Sequence, residues 1–229
     1  MTERASYTPK ISRFGERVQP GGNGVRHPGA SSVALVHDWL PVYAGAERVL
    51  EQMIHVLPEA KIYSLIDYVP EGQRAFLQGK PVQTSFIQQL PFAETQYRYY
   101  LPLAPLAIEQ FDLQDYEVVV SSSYAVAKGV LTRADQLHLS YVHSPIRYAW
   151  DLHFQYLRQR GIEWGVRSLL ARLIFHYVRL FDAASADRVD VFVANSKHVA
   201  RRIWKTYRRR ACSRPSTTAT GCTSSAPTV

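Results

Sequence analysis

The residues best suited to chemistry in this chain fall in three stretches. The first is Tyr141-Val142-His143-Ser144-Pro145-Ile146-Arg147-Tyr148-Ala149-Trp150-Asp151-Leu152-His153. A histidine titrates near neutrality and can donate to, or accept from, a bound oxygen. Pro145 biases Ser144 towards extended backbone, so His143 should be displayed at the end of the strand before it. Arg147, Tyr148 and Trp150 are residue types that hold sugars and phosphates, the rings by stacking and the guanidinium by paired hydrogen bonds. A histidine satisfied inside the core, next to an aromatic rim of no function, is the competing reading.

The second stretch is the loop His37-Asp38-Trp39-Leu40-Pro41-Val42-Tyr43-Ala44-Gly45-Ala46-Glu47. It leads into a helix whose first backbone N–H groups can face an anion. Gly45 lets the backbone approach a phosphate that a Cβ would obstruct. The loop has no G-x-G-x-x-G and no Walker lysine, so a plain structural turn stays open. Glu47, in the first helical turn, reads as a cap or dipole partner rather than an acid catalyst. The third stretch is the apolar segment 165–181, interrupted by Arg167, Arg172, His176 and Arg179. A core helix with a solvated basic stripe and a helix lying on anionic lipid both fit it.

These stretches need a scaffold, and the hydrophobic pattern supplies one. Val33-Ala34-Leu35-Val36 is an apolar run without alternation, as expected of a strand covered on both faces, and Val49, Leu50, Met53, Ile54 and Leu57 then recur at helical spacing until Pro58. Further strands are predicted at 60–65, 117–122, 137–142 and 190–195. Helices are predicted around 92–111, interrupted by Pro102 and Pro105, around 165–184, and from Ser196 to Tyr207. Strands alternating with helices imply an α/β fold: a single Rossmann-like, doubly wound, mostly parallel sheet. Ligands of such sheets bind beyond the carboxyl ends of the strands, where the first two stretches lie.

Composition narrows the function. The chain has 229 residues, a net charge of +8 and 46% hydrophobic residues, which excludes wholesale disorder and a disulfide scaffold. The charge is uneven: residues 33–142 hold seven basic and twelve acidic side chains, and residues 143–207 eleven and five. The body from 33 to 207 therefore carries only +1, so the surplus does not mark a nucleic-acid groove. Residues 1–32, rich in Gly and Pro, read as a disordered leader. Residues 208–229, almost without large apolar side chains, read as a disordered tail, either natural or translated in a shifted frame. Cys212 and Cys222 lie in that tail, where neither a structural disulfide nor a metal site is expected. No window approaches 18 consecutive apolar residues and no signal sequence opens the chain, so a cytoplasmic protein is expected. No zinc-ligand spacing and no G-x-S-x-G elbow occurs.

Val33 to Leu40 followed by Gly45-Ala46-Glu47-Arg48-Val49-Leu50-Glu51, then Leu101 to Phe111, Val118 to Ser123, Tyr141 to Leu152 and Val193-Ala194-Asn195-Ser196 together resemble the amino-terminal half of glycosyltransferase family 4, over residues 33 to 207. The resemblance implies the first half of a GT-B fold. It also implies retaining transfer of a sugar from a nucleotide diphosphate sugar without an obligatory metal or other cofactor. By it, Gly45 matches the second glycine of a Gly-Gly-Ala-Glu loop beside the donor diphosphate, with Ala44 replacing the first. His143 matches the histidine that faces the transferred sugar and is the candidate catalytic residue. Asp38, Ser144, Arg147, Tyr148 and Trp150 complete the candidate substrate- or phosphate-binding set, with Asn195 and Ser196 at the turn before the last helix.

The expected partners are a nucleotide-sugar donor and a lipid-linked or saccharide acceptor in surface or exopolysaccharide synthesis, with peripheral contact to an anionic membrane face and no nucleic acid. The family's carboxyl-terminal, donor-gripping domain has no counterpart before Val229, so a truncated acceptor-side half of weak or no activity is expected. The alternative is a non-catalytic acceptor- or membrane-binding module, or the partner of a separate donor-binding domain.

Overall fold

The computed structural model describes residues 33–159, 161 and 164–213. The expected leader over 1–32 and the tail from 214 lie outside the described residues. The chain runs β1 (Val33–His37), α1 (Gly45–Val56), β2 (Lys61–Ser64), a 3-10 helix (Glu71–Leu77), β3 (Val82–Thr84), a second 3-10 helix (Phe86–Gln89), α2 (Ala93–Gln96), a third 3-10 helix (Tyr97–Leu103), α3 (Ala104–Glu109) and β4 (Val118–Ser123). It continues through β5 (Leu137–Val142), α4 (Arg147–Trp150), α5 (His153–Gln159), α6 (Val166–Ser185), β6 (Val191–Ala194), α7 (Lys197–Tyr207) and β7 (Ala211–Ser213).

The seven strands of the described residues form one parallel sheet in the order β3-β2-β1-β4-β5-β6-β7, the doubly wound α/β arrangement the sequence implies. The apolar run of β1 shows why both faces are covered. Ala34 and Val36 pack with Val119, Ala107, Ile108 and Val178 on one side, while Leu35 packs with Leu50, Ile54 and Ile62 on the other. A third cluster, Val142, Phe192, Ala194, Val199 and Ile203, seats α7. Strand order reverses between β1 and β4, so their carboxyl ends diverge into a crevice.

The expected helix over 92–111 is instead three pieces. Pro102 lies inside the third 3-10 helix, and Pro105 stands in the first turn of α3, where a missing N–H is tolerated. The strands β3 and β7 were not expected. Residues 208–213 belong to the domain rather than to a tail: Arg208 caps α7 in the left-handed region at φ 56°. Arg209 donates to the Val189 carbonyl at 2.6 Å. Ala211, Cys212 and Ser213 pair with Phe192, Val193 and Ala194. Cys212 is disulfide-bonded, against the expectation from the tail's composition.

Beneath the sheet's carboxyl edge lies a buried ion pair. Lys128 and Asp182, 1% and 0% exposed, are in direct contact. Lys128 also donates to Ser185 Oγ at 3.0 Å, and Asp182 accepts from Trp150 Nε1 at 2.7 Å and from the Tyr207 hydroxyl at 2.9 Å. One carboxylate thus ties the turn after β4 to α4, α6 and α7. Replacing Lys128 by Met removes the charge that compensates Asp182, and we expect a loss of about 3–5 kcal/mol in urea denaturation. The double variant Lys128→Met with Asp182→Asn is expected to recover part of that loss.

Candidate functional site

A cleft of about 830 Å³ opens where the carboxyl ends of the strands diverge. Its lining comes from the β1–α1 loop (Trp39, Ala44), the start of α1 (Gly45, Glu47), the third 3-10 helix (Tyr97, Arg98), the residue after β4 (Tyr124), the segment after β5 (His143, Ser144, Arg147, Tyr148) and the first turns of α7 (His198, Arg202). His143 and the glycine turn therefore share one hollow, though 98 positions apart in sequence.

Asp38 lies buried outside the lining. Its fully buried carboxylate accepts from four consecutive backbone amides, Tyr124 at 2.6 Å, Ala125 at 2.9 Å, Val126 at 2.6 Å and Ala127 at 2.7 Å. Burial pushes this carboxyl upward, while the amides and His37 pull it back. Asp38 does not line the cleft, so its expected place among the substrate-binding residues gives way to a structural one: it staples the end of β1 to the end of β4.

Around that staple runs a line of polar groups. Glu47, 4% exposed, accepts from the Ala44 N–H at 3.0 Å, the capping role expected of it. The same carboxylate is 3.6 Å from His37 Nε2, an atom buried without a hydrogen bond. Burial raises the Glu47 carboxyl, but His37 and the surrounding amides outweigh it, and the net shift is downward. His37 Nδ1 is 3.0 Å from Ser122 Oγ, and Ser122 Oγ is 2.8 Å from His143 Nε2. Burial, followed by the neighbouring His37, pushes the His143 imidazole down to about 4. At neutral pH it is an uncharged ring, caged edge-on by Tyr141, Tyr124 and His37.

The other expected residues divide. Ala44 and Gly45 stand exposed on the cleft wall, and neither needs a left-handed backbone. A Cβ added at Gly45 would meet nothing within 4 Å, so the glycine leaves room at the helix start rather than permitting the turn. Alanine at 44 is consequently compatible with the loop. Arg147 is exposed on the wall, with no carboxylate partner among the described residues. Tyr148 also lines the cleft, its hydroxyl held strongly protonated by burial. Ser144 lines it too and accepts from Arg202 Nη1 at 2.8 Å.

Trp150, Asn195 and Ser196 do not line the cleft. Trp150 donates its N–H to Asp182 and stands behind the wall rather than on it. Ser196 caps α7 through the Val199 N–H at 3.2 Å, and Asn195 donates to the His143 carbonyl at 3.2 Å; both hold the wall in place. Sequence reasoning missed His37, Ser122, Arg98, His198 and Arg202. Ser122 had a weak signal, since a buried strand ending in three serines is unusual, and the others had none beyond their charge.

The third stretch, α6, departs from the reading of a core helix with a solvated basic stripe. Its outward face is apolar: Val166, Leu169, Leu170, Leu173, Tyr177 and Leu180 are 46% to 83% exposed, and at 100° per residue they fall on one stripe. Arg179 turns inward to the Ala149 carbonyl at 3.0 Å, and Arg172 reaches Ser168 and the Phe154 ring. Arg167 and His176 flank the stripe. No helix among the described residues is long and apolar enough to cross a membrane, and among them no group of three or more His, Cys, Asp or Glu could hold a metal ion.

His143 and His138 are both pushed down to about 4, chiefly by burial. Unfolded histidines protonate near 6.5, so between pH 6.5 and 4 the unfolded chain binds more protons and stability rises with pH. We expect urea-denaturation stability to fall as pH drops from 7 to 4, and His143→Asn to flatten that slope while leaving the His138 contribution. No protein-family model, curated protein or solved structure matches this chain, so the cleft must be read from its own geometry.

Proposed function

We propose that the chain is the acceptor-side domain of a retaining, nucleotide-sugar-dependent glycosyltransferase of family 4 type, working in surface or exopolysaccharide synthesis at an anionic membrane face. The observation that carries this reading is the cleft itself, in which an uncharged His143 and the open glycine start of α1 share a hollow with Arg98, Arg147 and Arg202.

The chemistry that such transfer requires matches what these residues offer. The departing diphosphate gains negative charge in the transition state and is stabilised by fixed dipoles and cations. The amides at the start of α1 that Glu47 does not cap supply dipoles, and Arg98 and Arg147 supply charge, Arg202 being paired with Asp151. Gly45 keeps a Cβ out of the approach. His143, neutral and held by Ser122, is suited to a hydrogen bond with a hydroxyl of the sugar or acceptor rather than to an ion pair. Tyr97, Tyr124 and Tyr148 give aromatic faces on which a sugar ring can rest. The donor is a substrate, and no resident cofactor enters the proposal.

The stripe on α6 supports the membrane location. An exposed apolar band of this kind marks an interaction surface, and Trp164, two residues before α6, is 90% exposed as well. Arg167 and His176 on its flanks favour anionic lipid headgroups.

The test is saturable binding of a short-chain polyprenyl diphosphate-linked monosaccharide, followed by titration calorimetry in detergent. Arg147→Ala is expected to weaken binding about tenfold or more, the scale of one charged hydrogen bond, with an unchanged melting curve. Failure of this acceptor and of UDP- and GDP-hexoses alike to bind would overturn the proposal. For the membrane face, co-sedimentation with vesicles rich in phosphatidylglycerol is expected, and lost in the Leu169→Glu, Leu173→Glu double variant; vesicles of phosphatidylcholine should bind weakly.

A further inference from the structure

The line Glu47, His37, Ser122, His143 has a direction, and the geometry fixes it. His37 is fully buried with Nδ1 on Ser122 Oγ, and its Nε2 faces the Glu47 carboxylate at 3.6 Å without any other polar neighbour in hydrogen-bond range. A lone pair on Nε2 would oppose the carboxylate oxygens, whereas a proton there is attracted to them. Neutral His37 therefore carries its proton on Nε2 and offers a lone pair at Nδ1. A hydroxyl has a single proton to donate, so Ser122 directs it to His37 Nδ1. Its oxygen then faces His143 Nε2 at 2.8 Å as an acceptor, which requires the proton of neutral His143 to sit on Nε2. The remaining nitrogen, Nδ1, makes no hydrogen bond among the described residues, and His143 borders the cleft.

We propose that Glu47, His37 and Ser122 are positioning residues that hold His143 in its Nε2–H form, presenting Nδ1 to the cleft as a hydrogen-bond acceptor for a hydroxyl-bearing ligand. Outer partners commonly fix which nitrogen of a functional histidine is free. The carboxylate that caps α1 thereby sets the chemistry of a ring two residues removed from it in the relay. Running the relay backwards shows what is at stake. If Glu47 did not hold a proton on His37 Nε2, Nδ1–H of His37 could donate to Ser122, Ser122 to His143 Nε2, and the cleft would meet an N–H donor instead.

This inference does not rest on the transferase reading, because its readout belongs to the free protein. In a long-range proton–nitrogen correlation spectrum of histidine-labelled protein at pH 7.5, wild-type His143 is expected to show the Nε2–H pattern. Ser122→Ala removes the acceptor, and Glu47→Gln removes the charge; each is expected to raise the Nδ1–H form of His143 from a minor to a comparable or larger population. His138 serves as an internal control. Its Nδ1 donates to the Arg188 carbonyl at 3.1 Å and its Nε2 accepts from Ser121 Oγ at 3.0 Å, so it should keep the Nδ1–H pattern in every variant that folds. A wild-type His143 in the Nδ1–H form would overturn the proposal. So would variants that keep the His138 pattern and leave His143 unchanged. Should the variants fail to fold, the wild-type pattern alone decides.

Discussion

The architecture of this cleft hangs on one carboxylate. Asp38 leaves the end of β1 at the point where the sheet changes direction and gathers four successive amides of the segment after β4. Charge-assisted hydrogen bonds from backbone N–H groups are stronger than neutral ones, and a buried carboxylate without them would be intolerable. The arrangement fixes the relative placement of two strand ends that would otherwise splay. With those ends fixed, His37 and Ser122 meet, and through Ser122 the position of the His143 ring is determined. A second buried carboxylate, Asp182, does similar work on the far side, binding α4, α6 and α7 to the turn that Asp38 begins.

The sequence disclosed the elements that obey a period. The buried run at 33–36, the helical spacing of α1 and the strand before His143 have both ends marked by residues that stop them, and the structure places them within a residue or two of expectation. β3 and β7 were hidden because an edge strand of three residues needs backbone partners and almost no side-chain pattern. In β7 those partners are Phe192, Val193 and Ala194, supplied by a strand already in the sheet, so a compositionally poor segment is ordered by its neighbour.

The site was partly legible for a related reason. His143 and Gly45 could be found because position after a strand is itself a signal in a doubly wound sheet. Asp38 and Trp150 entered the candidate set because their residue types suit a ligand; the structure sets them off the cleft, on partners 86 to 89 and 32 positions away. Nothing local distinguishes a carboxylate that meets a substrate from one that meets four amides. Ser122 likewise acquires its meaning only when His37 and His143 close on it from opposite sides, a three-body coincidence that no spacing rule encodes. A serine there is otherwise a small residue that fits a crowded strand end.

One side chain joins the two surfaces of the molecule. Phe175 projects from the inner side of α6 and lines the cleft, packed against Tyr148, Tyr156 and His153, while Leu173 and Tyr177 on the same helix look outward. Because packed interiors leave little slack, the ring's place in the cleft is set by the seating of that helix. The outer stripe and one wall of the chamber are thus two sides of a single rigid rod, and neither can be redesigned without regard to the other.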